Sequence, residues 1–241
     1  MAVRLAGYQP QYFPRLHYFA RVLNADIFKV SDYVQFVRAH TYLRPDGSRE
    51  HRGKSYQAHS PIKLGSGLYF LTVPVVHHGM QPINQTAVSY AKPWPAAHLR
   101  TIQTAYARAE RAAEILPQVS AIVTKQYQNL AELNIATIFW ALAVILGRPE
   151  LPAEGLSVER LNELLNTQPH PFRLRRIVII SQTGVPPRRA SDADSTNWII
   201  ESCRRLGASE YYHGGTAAAA YLDHRRLVAA GITPIQQQWT C

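Results

Sequence analysis

Short apolar runs cut by proline, glycine or aspartate alternate with stretches of helical period at both ends of the chain. Residues 3–10, VRLAGYQP, read as a buried strand that Pro10 halts. In PRLHYFARVLNA (14–25), Leu16, Phe19 and Leu23 share one helical face, and Pro14 suits a first turn. DIFKVSD (26–32) reads as the next strand. Strand, helix and strand in this order make a βαβ unit, which implies parallel pairing through a right-handed crossover. The same alternation returns late in the chain. RRIVIIS (175–181) is a strand, GVPPRRASDADS (184–195) a loop, and Trp198–Leu206 a helix closed by Gly207. SEYYHGG (209–215) is a strand running into two glycines, TAAAAYLDHRRLVAAG (216–231) a helix, and ITPIQQQW (232–239) a last strand.

Between these ends the pattern changes. Residues 37–68 are polar, basic and glycine-punctuated without a clear period, which predicts a long irregular loop. LYFLTVPVV (68–76) reads as a strand ending in His77-His78. Leu99, Ile102, Tyr106, Ala109, Ala113 and Leu116 keep three-to-four spacing up to Pro117, and a second helical pattern runs from Val119 to Leu146. The expected fold is therefore α/β: one domain over 1–241, with a mainly parallel, Rossmann-like sheet built from both ends of the chain and a helical lobe inserted at 96–147. Ligands in such sheets sit at the carboxyl ends of the strands, here Tyr8-Gln9-Pro10 and Ser31-Asp32.

Composition narrows the class. The chain has 241 residues, 46% hydrophobic and 17% charged, enough apolar material for a sizeable core. The apolar run from Ile135 to Gly147 falls short of the ~20 residues a membrane span needs, so it predicts a buried helix. An N-terminus without a signal-like apolar stretch leads to the expectation of a cytoplasmic protein with no membrane partner. Two cysteines support neither a disulfide framework nor a cysteine-rich metal site, and no cofactor or metal is expected. Lys and Arg number 26 against 16 Asp and Glu, a net charge of +10 that fits an anionic ligand.

Candidate chemistry gathers at strand ends. Gln9 offers a donor and an acceptor, and Asp32 ends the adjacent strand, where it either orients a histidine or an amine or caps a loop. His213 stands directly before Gly214-Gly215, whose bare backbone suits an anion or a tight turn. His17 lies within the first helix, as a base or a packed residue. Arg188 and Arg189 with Ser191 and Asp192 form either a phosphate-holding loop or a solvated one. Cys203 shares a helix face with Ile199 and Ile200 and reads as buried and inert rather than nucleophilic. His77 and His78 point opposite ways on an extended segment, so they make a poor metal pair.

The segment YQPQYFPRLHYFARVLNADIFKVSDYVQF (8–36) resembles the opening motif of the WbqC-like family, and FLTVPVV, LNIATI (133–138) and CRRLGASEYYHGGTAAAAYLDHRRLVAAGI (203–232) continue the resemblance in order. Gln9, Pro10, Tyr12, Pro14, Tyr18, Phe19, Asp26, Asp32, Gln35, Phe36, Gly214, Tyr221 and Leu222 match it. The departures are Tyr8 where the family pattern has a leading His, Arg15 for its Trp, His17 for its Gly, and His213 for a small hydroxyl residue. A family tail containing proline and tyrosine would begin about where Trp239-Thr240-Cys241 stands.

The resemblance implies group transfer, acyl or aminoacyl, to an amine of a sugar or natural-product intermediate such as those of O-antigen pathways. In that reading His17 or His213 is the base and Asp32 assists. Tyr8, Gln9, Tyr12, Gln35, Arg188, Arg189, Gly214, Gly215 and Tyr221 bind the amine substrate and an anionic acyl donor or carrier protein. A phenol is a poor base near neutrality, so a catalytic role of the leading His does not pass to Tyr8. Two other classes stay open. FPRLH before a helix is similar to the opening of nucleotidylyltransferases, although Tyr18 and Phe19 stand where a second His is needed. The basic stretch 38–63 with Tyr42 and Tyr56 is the basis of a nucleic-acid-binding alternative, although no recognised reading module accompanies it.

Overall fold

The computed structural model describes residues 2–43, 49–152, 155–187, 195–215 and 222–238. In chain order the elements are β1 (Arg4–Tyr8), α1 (Leu16–Leu23), β2 (Ile27–Val30), β3 (Ala39–Leu43), β4 (Arg49–Lys54), β5 (His59–Leu64), β6 (Gly67–Thr72), β7 (Val75–Val76) and β8 (Ala87–Val88). Then come α2 (Trp94–Tyr106), α3 (Ala112–Thr124), α4 (Leu130–Ile145), α5 (Val158–Thr167), β9 (Arg176–Ile179), α6 (Ser195–Leu206), β10 (Glu210–His213), α7 (His224–Ala229) and β11 (Thr233–Gln236). They form two compact units, one of Met1–Gln9, Arg15–Val34 and Ser157–Cys241, the other of Pro10–Pro14 and Gln35–Leu156.

The first unit is a five-stranded, all-parallel sheet in the order β11-β10-β1-β2-β9. Read from the β9 edge this is the 3-2-1-4-5 order of a Rossmann-like sheet, and the strand order reverses between β1 and β10. Leu5 stands between Ile27 on one side and Tyr211 on the other. Alternation along the strands sends Leu5, Ile27 and Tyr211 into a core with Ile199, Cys203 and Leu227 of α6 and α7. Ala6 and Tyr212 pack on the opposite face with Ala25. Asn162 of α5 seals the β9 edge: its Oδ1 accepts from Ile177 N–H at 2.7 Å and its Nδ2 donates to Ile177 C=O at 3.0 Å.

Helix α1 differs from its sequence pattern. Tyr18, Phe19 and Val22 are buried, whereas Leu16 is 76% exposed. The stripe facing the sheet is set by Tyr18 packing on Phe28, with ring centroids 5.8 Å apart, and Leu16 in the first turn falls outside it.

In the second unit, the stretch expected to be irregular is two antiparallel hairpins, β3–β4 and β5–β6. The β5–β6 pair closes through Gly65-Ser66, with Gly67 at φ +117°. The predicted strand 68–76 is split into β6 and β7 at Pro74, which has no N–H for a ladder. The long helix expected up to Pro117 is broken at 107–111, where every side chain is exposed and no apolar group packs to carry the helix through. Pro117 then lies inside α3 and removes one intrahelical bond without ending the helix. Asn129 starts α4 by accepting from Glu132 N–H at 3.0 Å, and the Glu132 carboxylate takes Gln128 N–H, also at 3.0 Å. Ile138, Phe139 and Leu142 are buried, as expected for the apolar run from Ile135, and so are Leu130 and Leu133 before it. Among the described residues no helix is long and apolar enough to cross a membrane.

One core residue of the first unit is a lysine. Lys29 on β2 is 1% exposed, donates to Ser202 Oγ at 3.0 Å and sits 3.8 Å from the Trp198 ring centroid. Gly7 leaves it room, since a Cβ there would lie 2.7 Å from Lys29 Cε. Burial lowers its pKa from 10.5 to about 7. Between these two values the unfolded chain binds more protons than the folded one, so stability rises with pH across that window. Lys29→Met is expected to raise the denaturation midpoint below pH 7 and to flatten the rise towards 10.5, measured by urea unfolding across pH. A variant as pH-dependent as the parent would contradict this.

Candidate functional site

The carboxyl ends of β1, β10 and β11 bring Tyr8-Gln9, His213-Gly214-Gly215 and Gln236-Gln237 to the edge where the strand order reverses. His213 is 4% exposed, and its Nδ1 lies 2.7 Å from the Gly214 carbonyl oxygen. A carbonyl only accepts, so Nδ1 carries the proton and Nε2 keeps a lone pair. Among the described residues that buried Nε2 has no hydrogen-bond partner. Burial, then the nearby His224 and Arg21, lower the His213 pKa against the opposing bond to Gly214. At neutral pH the ring is therefore an uncharged imidazole with a free basic nitrogen. It lines a cavity of about 370 Å³ with Gly215, Asp223, His224, Arg225 and Gln236. The His213 and His224 rings meet edge to face at 4.9 Å.

Arg21 reaches the same edge from α1. Its guanidinium lies 4.4 Å from the Tyr8 ring centroid, and its Nε donates to Gln237 Oε1 at 2.8 Å. Gln237 is held in turn by donating to the His17 carbonyl at 3.0 Å. A Cβ on Gly214 would lie 2.4 Å from Arg21 Nη2, so the glycine makes room for the arginine. Sequence reading missed Arg21, since nothing in its local pattern marks it off from other helical arginines.

The other sequence candidates are distributed as follows. The His17 pKa is lowered by burial and then by Arg15 and Arg21. Asp32 is buried and accepts from Ser181 Oγ at 2.6 Å and Ser181 N–H at 3.1 Å, which ties the ends of β2 and β9 together. Tyr12 and Gln35 belong to the second unit. The Tyr12 hydroxyl meets His98 Nδ1 at 3.1 Å, and His98 Nε2 donates to the Thr72 carbonyl, also at 3.1 Å. Burial lowers the His98 pKa to about 4. Gln35 is exposed, with its carbonyl accepting from Gln57 Nε2. Arg188, Arg189 and Tyr221 lie outside the described residues. Cys203 is fully buried with its thiol pushed up to about 11, which leaves no useful thiolate near neutrality.

The motif segment Pro10–Pro14 is bolted into the second unit by its backbone. Asn134 Nδ2 donates to the Pro10 carbonyl at 3.1 Å, Thr137 Oγ1 accepts Phe13 N–H at 3.2 Å, and Ser60 Oγ donates to Phe13 C=O at 3.1 Å. Phe13 has φ +42°, a left-handed conformation that these bonds hold in place. Both Asn134 and Thr137 come from the LNIATI stretch, so two of the segments that carry the resemblance meet in space.

A model of the WbqC-like protein family matches residues 9–148, more than half of the chain. The chain belongs to the WbqC-like family. No curated protein and no solved structure matches it. The matched range of this WbqC-like chain covers the bolted motif and ends before His213, so the cavity beside His213 is described by its geometry alone.

Nitrogen-15 NMR of the labelled protein is expected to show His213 as the Nδ1-protonated tautomer at neutral pH, titrating below 6.5. An Nε2-protonated ring, or a titration above that value, would contradict the geometry.

Proposed function

We propose that this WbqC-like protein is a group transferase that acylates or aminoacylates an amine of a sugar or natural-product intermediate, with His213 as general base. The supporting observation is the buried, unpartnered Nε2 of a neutral His213 in a cavity at the sheet edge. The amine nitrogen of the acceptor attacks the acyl carbon of the donor, and His213 Nε2 takes the proton as the new C–N bond forms. The same proton then passes to the leaving group as its bond to the acyl carbon breaks. Gln9, at the end of β1, orients the acceptor, and Asp32 positions the Ser181 loop beside it. His17 is the alternative base, less favoured because it is only half-buried. A second reading, transfer of a phosphate-bearing group as in nucleotidylyltransferases, is favoured by the Rossmann-like strand order with Arg21 at its reversal.

His213→Asn keeps an N–H donor for the Gly214 carbonyl but no base, and is expected to lower kcat by about 100-fold with acyl or aminoacyl donors and amino-sugar acceptors. The parent activity should fall as pH drops through the lowered His213 pKa, because protonation removes the base. Folded His213→Asn and Gln9→Ala variants with full activity would overturn the assignment.

A further inference from the structure

The Arg21 guanidinium is oriented from three sides, yet only one of its nitrogens is used. Nε is spent on Gln237, the plane rests on Tyr8, and Gly214 leaves space for Nη2. Among the described residues no carboxylate lies within ion-pair distance, and neither Nη1 nor Nη2 has a hydrogen-bond acceptor. The other partly buried arginines of the first unit behave differently: Arg4 pairs with Glu210 at 2.8 Å and Arg173 with Asp26 at 2.8 Å. A half-buried cation with a fixed, unfilled fork is costly unless an anion completes it. The next residue beyond Gly214 is a second glycine, and the residue before it is His213 with its own open nitrogen.

We infer that Arg21 is the anion-recognition residue of this site, and that it takes a phosphate group of the donor. The inference rests on the placing of the site proposed above, and it adds the charge of the ligand. Phosphate suits the position better than carboxylate for two reasons. The edge lies at the reversal of a Rossmann-like sheet, where the strands leave a crevice open to phosphate groups. Cations also flank His213 on both sides, Arg21 against Gly214 and Arg225 in the cavity wall, while the Asp223 carboxylate there is engaged in capping α7 by accepting from Arg226 N–H. The fork is held in place before binding, so little side-chain entropy is lost when the anion arrives. Where the family pattern carries a histidine, this chain has a phenol ring, Tyr8, that serves as the platform for Arg21.

The test is calorimetric titration of the full chain with inorganic pyrophosphate, with acetate in a parallel arm. Arg21→Gln is expected to weaken pyrophosphate binding at least about tenfold. Arg21→Lys keeps the charge and stem but not the fork, and is expected to weaken binding about threefold or more, which keeps the test decisive if the glutamine variant does not fold. The titration reads anion binding without turnover, so its outcome does not depend on the base. Failure of the transferase reading therefore shows in the His213 assay, and failure of the anion reading shows in the Arg21 titration. Parent-like affinity in a folded Arg21 variant, acetate binding as tightly as pyrophosphate, or no pyrophosphate binding by the parent at millimolar concentration would each overturn the inference.

Discussion

The first unit depends on the parallel pairing of β1 with β2 on one side and β10 on the other. This register closes a sequence gap of most of the chain and sets Leu5 opposite both Ile27 and Tyr211. Each face of the sheet then receives its helices, and the two edges perpendicular to the strands acquire opposite characters. The amino-terminal edge is tied by charge: Asp26 accepts from Arg4 N–H at 2.7 Å and from Arg173 Nε at 2.8 Å, and Glu210 pairs with Arg4. The carboxyl-terminal edge has a neutral histidine and an arginine fork without such partners among the described residues. An edge whose polar groups are satisfied holds the fold, and one whose groups are unsatisfied is available for chemistry.

Two buried histidines, His98 and His213, make the same distinction. His98 and His213 are both shielded and both have lowered pKa values. His98 has both nitrogens engaged, by Tyr12 and the Thr72 carbonyl, so it is a fixed part of the second unit. His213 has one nitrogen engaged and one buried without a partner. Lowered basicity through burial is thus common to a structural and a candidate catalytic residue, and the hydrogen-bond inventory separates them.

Much of the sheet was legible in the sequence because its strands are short apolar runs, with clear stops at Pro10 and Gly214-Gly215, and Gly207 ends the helix before β10. The α/β alternation at both ends and the position of His213 at a strand end followed from that punctuation, whereas its place beside β1 comes from the pairing of β10 with β1. The hairpins of 39–72 were hidden because their residues are polar and basic, although Leu64-Gly65-Ser66-Gly67 carries a turn signal that a closer reading of glycine spacing would have found. The break at 107–111 escaped because alanine satisfies an apolar spacing while burying almost nothing. α5 carries a readable Leu161, Leu164 and Leu165 stripe. Arg21 was beyond reach, since its importance comes from Tyr8, Gln237 and Gly214, which are joined only by the fold.

The central claim is that ligands bind at the reversal point of the sheet, against His213. A crystallographic soak of the protein with small primary amines and phosphate esters tests it most directly. The account predicts bound molecules within hydrogen-bond distance of His213 Nε2, beside the ends of β10 and β11. Molecules gathered reproducibly at another surface, with this cavity left unfilled, would contradict it.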